Sequence, residues 1–94
     1  MLTVKQKVAL RSMAMTIKPI YQIGKDGITE NLVEGISLAL EAHELIKISV
    51  LKNVSSPLTQ IAYDIASATN SELIQIIGRN IVLYRESKKK IIKL

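Results

Sequence analysis

The run Leu45-Ile46-Lys47-Ile48-Ser49-Val50-Leu51 constrains the fold more than any other stretch of the chain. Ile46, Ile48 and Val50 point one way, Lys47 and Ser49 the other, which is the signature of a strand covered on one face. Helical periodicity flanks it on both sides. Upstream, Leu32, Val33, Ile36, Leu40 and His43 share one face of a helix from about Glu30 to His43, with Thr29 as N-cap. Downstream, Leu58, Ile61, Ala62, Ile65 and Ala66 form one stripe of a helix from Pro57 to about Thr69. There Ser56 is the expected N-cap, proline occupies the first helical position, and Asn70 suits a left-handed stop. A strand held between two such helices belongs to an α/β chain.

The remaining elements extend this order. Thr3-Val4-Lys5-Gln6 matches a capping box and opens a helix from Val4 to Met15. Val4, Val8, Ala9, Ser12 and Met13 fall along one of its faces, and Lys18-Pro19 stops it, because the residue before proline avoids helical angles. A short strand, Ile20–Ile23, follows. Near the end, Leu73–Ile77 and Ile81–Arg85 flank Gly78-Arg79-Asn80 and read as a hairpin. The order is α-β-α-β-α-β-β, a single domain with a four-stranded mixed sheet: parallel across the strand–helix–strand units and antiparallel in the hairpin. The one-sided Lys47/Ser49 pattern predicts helices mainly on one face. Gly35, inside the second helix, predicts close approach to another element, since it costs about 1 kcal/mol relative to alanine there. Residues 1–88 make up the domain. The lysine-rich tail, 89–94, is expected to fray, with Ile91-Ile92 able to dock.

Composition narrows the function. There is no cysteine, hence no disulfide framework or thiolate chemistry. No apolar block marks a signal peptide and no run approaches the ~20 apolar residues of a membrane span, so a soluble cytoplasmic protein is the expectation. Residues 1–25 carry five basic side chains and no acid, residues 26–76 two against seven acids, and residues 77–94 six against one. Basic ends brought together with a basic loop would give the footprint of a polyanion partner. Catalysis lacks residues. His43 is the sole histidine, read as packing on its helix's apolar face. Asp26 and Glu30 complement a helix dipole rather than form an acid–base pair. No metal, cofactor or small-molecule substrate is expected, nor a membrane surface, since the first helix has no large apolar face.

The loop Ile23-Gly24-Lys25-Asp26-Gly27-Ile28-Thr29 joins the first strand to the second helix. Two glycines allow close backbone approach, and the free N–H groups and dipole of a helix N-terminus favour an anion. It is neither a Walker loop nor a dinucleotide fingerprint. With three tyrosines and no phenylalanine or tryptophan, the strands lack the stacking pattern of an RNA-recognition-motif sheet. Phosphate contact through Lys25 and a G-x-x-G loop is the better reading. Asp26 opposes it unless its carboxylate turns away to cap the helix.

Together with Lys18-Pro19, His43-Glu44-Leu45-Ile46-Lys47, Gln75-Ile76-Ile77-Gly78 and Leu83-Tyr84-Arg85, this loop resembles the CRM domain, the chloroplast RNA splicing and ribosome maturation family, in its bacterial single-domain YhbY-type form. The blocks run in family order from Leu2 to about Lys88. The resemblance implies a fold similar to the carboxyl-terminal domain of translation initiation factor three. It also implies non-catalytic binding of ribosomal RNA in large-subunit precursors. It places RNA contacts at Gly24, Lys25, Asp26 and Gly27 and at the basic positions Lys18, Lys47, Arg79 and Arg85, to which the end of the domain adds Lys88. Lys47 is expected to face outward, and Tyr84 to pack rather than stack. A monomer is expected. The rival reading is a protein-interaction module whose basic ends meet an acidic protein.

Overall fold

The computed structural model describes residues 2–94. Its elements are α1 (Val4–Ala14), β1 (Tyr21–Ile23), α2 (Glu30–His43), β2 (Leu45–Val50), α3 (Leu58–Ala68), β3 (Glu72–Ile77) and β4 (Asn80–Tyr84). The strands form one mixed sheet in the order β1-β2-β4-β3. β1 pairs parallel to β2, while β4 runs antiparallel to both of its neighbours. A bulge at Leu73/Gln75 shifts the β3 register. Gly78, at φ +58°, turns the hairpin in a conformation that side chains resist.

Helices cover both faces of the sheet, which corrects the one-sided expectation. α2 and α3 bury Ile36, Leu40, Ile61 and Ile65 against Ile23, Ile46, Ile48, Val50, Ile81 and Leu83. α1 lies on the opposite face, where Leu10 and Ala14 pack with Leu45, Ile74, Val82 and Tyr84. That arrangement explains Lys47. It lies on the α1 face of β2, and its stem is buried there, leaving the residue only 8% exposed rather than facing outward.

The capping box of α1 forms in both directions, Gln6 N–H to Thr3 Oγ1 at 3.1 Å and Thr3 N–H to Gln6 Oε1 at 2.9 Å. The helix turns a different face inward than its sequence suggests. Val4 is 79% exposed and Val8 and Met13 are exposed as well, while Leu10 and Ala14 are buried. Apolar residues are spread around α1, so periodicity alone picks no face. His43 is likewise exposed at the last turn of α2, off the apolar stripe. The N-cap position of α3 belongs to Pro57, without a side-chain hydrogen bond, rather than to Ser56. Asn70 does adopt the left-handed stop, at φ +55°.

The tail docks. Ser87 is buried and Ile92 packs against the α1-side cluster. Both are held by Glu44, a buried acid with the uncommon φ of +67° for a residue that is not glycine. No helix among the described residues is long and apolar enough to cross a membrane.

Candidate nucleic-acid interface

β1 ends at Ile23, and the chain turns at once through Gly24-Lys25-Asp26-Gly27, closed by Gly27 N–H to Gly24 C=O at 2.9 Å. The two glycines serve different purposes. Gly27 sits at φ +68°, where only a residue without Cβ is unstrained. Gly24 has no such requirement: a Cβ there would meet only Leu51 Cδ1, at 3.4 Å, an ordinary contact distance. Lys25 and Asp26 stand exposed at the tip. Thr29 caps α2, its Oγ1 accepting Leu32 N–H at 3.2 Å. Asp26 therefore does not cap the helix, and its carboxylate stays at the exposed turn beside Lys25. Glu30 and Asn31, in the first turn, keep backbone N–H groups that the helix itself does not satisfy.

Arg79 stands behind this loop. Its Nε donates to Val50 C=O at 2.9 Å and its Nη2 to Leu51 C=O at 2.8 Å. Leu51 N–H in turn donates to Ile23 C=O at 2.9 Å, immediately before Gly24. The guanidinium thus fastens the end of β2 to which the glycine loop is tied.

The other basic positions scatter. Lys18 and Lys25 are exposed, and Lys18 precedes the point where Ile20 N–H donates to Lys47 C=O at 3.0 Å. No buried side-chain nitrogen lacks a partner among the described residues. Among the described residues the Lys47 ammonium has no hydrogen-bond partner, so it reaches the surface past its buried stem. Arg85 lies elsewhere. Its Nη1 donates to Ser37 Oγ at 3.0 Å and Thr69 C=O at 2.8 Å, and its Nη2 to Ser37 C=O at 2.7 Å. Lys88 is exposed, while its N–H donates to Glu41 Oε2 at 3.0 Å. These two lie near the C-terminal half of α2, which at 14 residues is about 20 Å long. The loop is at its other end. The fold therefore groups Gly24–Gly27 with Arg79 and separates them from Arg85 and the basic tail.

Pairing also creates an alignment that the residue types alone do not announce. Gln22 pairs with Ser49, Ser49 with Asn80, and Asn80 with Ile77, a single row across all four strands. This row shares the α1 face of the sheet with Lys47 but lies at the loop end, beyond the cluster that α1 covers. Tyr21, Tyr63 and Tyr84 are not in it. Tyr21 packs toward Gly35 and Tyr84 is buried. Burial first, then the negative charges of Glu44 and Glu86, push the Tyr84 phenol above its ordinary pKa of 10.0, so it stays neutral.

Known proteins match this chain along nearly its whole length. The family model described as the CRS1 / YhbY (CRM) domain matches residues 2–85. A Bacillus subtilis protein named "Probable RNA-binding protein YqeI" is 48% identical over 89 residues, 95% of this chain and 93% of the relative. A Haemophilus influenzae protein named "RNA-binding protein" is 36% identical over 93 residues, 99% of this chain and 94% of the relative. The solution structure of SAV1595 from Staphylococcus aureus aligns with a TM-score of 0.80 at 53% identity, covering 94% of this chain and 92% of that one.

Proposed function

The chain belongs to the CRS1/YhbY (CRM) domain family, and from that premise we propose that it is a non-catalytic RNA-binding protein that grips phosphate at Gly24–Gly27. The observation that carries the reading is the turn itself. Gly24 is a half-buried glycine that internal packing does not demand, and with Gln22, Lys25, Gly27 and Thr29 it lines a shallow surface pocket at the start of α2. Lys25 is exposed beside it, and unsatisfied N–H groups of α2 follow within a few residues. Relatives named as RNA-binding proteins support RNA as the partner. The partner we infer is ribosomal RNA in large-subunit precursors, met in the cytoplasm. Lys18 and the Lys47 ammonium continue the contact along the sheet, and Lys88 offers a second, more distant phosphate contact. Arg79 acts by holding the loop, and Arg85 by tying α2 to the end of β4.

Replacing both Gly24 and Gly27 by aspartate places two carboxylates where phosphate would sit. Affinity for ribosomal RNA fragments, followed by fluorescence anisotropy, should fall at least tenfold while the far-UV circular dichroism spectrum is retained. Unchanged affinity would move the site off the loop. Recovery of the wild-type protein on large-subunit precursors in a sucrose gradient, lost on nuclease treatment, tests the ribosomal setting.

A further inference from the structure

We propose that the cross-strand row Gln22–Ser49–Asn80, with the Lys47 ammonium beside it, reads the base edges of single-stranded RNA whose phosphate is held at Gly24–Gly27. The inference rests on the RNA-binding reading above and adds to it a site for sequence preference. Its first support is position. Gln22 is one residue from the end of β1, so a strand leaving the loop passes directly onto the row. Neighbouring strands lie about 4.8 Å apart, so the three residues span about 10 Å, enough for a short unstacked segment.

Chemistry is the second support. Gln22 and Asn80 carry amides with two donors and an acceptor, and Ser49 a hydroxyl that both donates and accepts. None of these side chains, nor Gln75 in the adjoining row of β3, is hydrogen-bonded within the protein among the described residues. Gln22 is exposed and Ser49, Gln75 and Asn80 are half-buried, so their polar ends are free on a firm sheet. Base edges present mixed donors and acceptors, which such side chains match with direction. A phosphate surface would instead call for more cations. Ile77 ends the row at 38% exposure and gives a base face an apolar contact.

Charge agrees. Lys47 and the guanidinium of Arg79 are the charged groups nearest the row on β2 and the hairpin turn, and both are cationic. No acid lies within the row. An acidic protein partner would meet the same cations, but the amides and hydroxyl have no special use for carboxylates alone.

The test uses labelled 12-nucleotide oligo(A), oligo(C), oligo(G) and oligo(U) RNAs and the full chain. The wild-type protein should discriminate among them by about tenfold or more between best and worst. Substituting Gln22, Ser49 and Asn80 together by alanine should flatten that ratio to near one and leave the salt dependence unchanged, because phosphate contacts remain. Discrimination that is absent from the wild type, or that persists in the variant, overturns the proposal while RNA binding stands. No binding of any oligomer by the wild type, with ribosomal RNA also unbound, overturns the RNA reading itself. Independently of variant folding, the side-chain NH2 resonances of Gln22 and Asn80 in the wild type should shift on adding the preferred oligomer. Shifts with poly-glutamate but not with RNA would assign the row to a protein partner instead.

Discussion

The Glu44 carboxylate accepts the backbone N–H of Ile92 at 2.6 Å, joining the end of α2 to a residue 48 positions later. Its other oxygen accepts both the N–H and the hydroxyl of Ser87, each at 2.7 Å. Three donors thus converge on one buried carboxylate. Glutamine in its place offers a single acceptor oxygen, so at least one donor loses its partner. Hydrogen bonds to charged groups contribute about 1.5–3 kcal/mol, and Glu44→Gln should destabilise the fold by about that amount in urea titrations. Hydrogen exchange should locate the damage, with faster exchange at Ile92 and Ser87 and little change at Ile48.

The same clamp sets an acid limit. Burial pushes the Glu44 carboxyl upward, but the N–H groups of Ile92 and Ser87 and the Ser87 hydroxyl outweigh it and hold it below its ordinary 4.5. A carboxylate with a lowered pKa in the folded state gives its full stabilisation above the unfolded value and loses it as pH falls through the folded one. The wild-type tail should therefore stay docked at neutral pH and be released as the pH drops below 4.5. Monitoring the Ile92 amide by NMR across that range checks this. The Glu44→Gln protein should show no such transition at Ile92.

How far the sequence reveals this molecule depends on which signals are local. The α2 boundaries, its Thr29 cap and the capping box of α1 follow from neighbouring residues and are found as read. The stripe of α3 is legible because its leucine and isoleucines, Leu58, Ile61 and Ile65, all fall on one side, where Ile61, Ala62, Ile65 and Ala66 are buried. α1 is not, because its apolar residues surround the helix and only the sheet chooses Leu10 and Ala14. Lys47 misled for a related reason: alternation assigns it correctly to the face opposite Ile46 and Ile48 but cannot reveal that α1 packs over that face. The glycine loop was visible as a turn before a helix. The grip of Arg79 on Val50 and Leu51 and the Gln22–Ser49–Asn80 row depend on strand order, which a one-dimensional pattern does not fix.

Gly35 and Tyr21 give a sharp test of packing. A Cβ on Gly35 would lie 2.6 Å from Tyr21 Oη and 3.0 Å from Cζ, too close unless the ring moves. Alanine gains about 1 kcal/mol of helix propensity, while overpacking costs about 1–3 kcal/mol. Gly35→Ala should thus be neutral to destabilising in the wild-type protein. In a Tyr21→Ala background the clash is gone, and the same substitution should stabilise by up to about 1 kcal/mol. A double-mutant cycle from urea titrations measures the coupling. Equal effects of Gly35→Ala in both backgrounds would show that the ring does not set the requirement.

Arg79 separates holding a loop from touching a phosphate. Its two hydrogen bonds to Val50 and Leu51 carbonyls need a planar fork, which lysine does not reproduce. If the residue acts by fixing the end of β2 beside Ile23, Arg79→Lys should lose most of what Arg79→Ala loses in RNA affinity. Hydrogen exchange at Leu51 should rise in both variants, while the dependence of log affinity on log salt keeps its slope. A direct phosphate contact makes the opposite demand: lysine, still cationic, should restore most of the affinity, and alanine should reduce the slope by about one. Two of the five guanidinium N–H groups are committed to the Val50 and Leu51 carbonyls and the others have no partner among the described residues, so the lysine variant decides between the two outcomes. Anisotropy titrations of the two variants at three or more salt concentrations distinguish them.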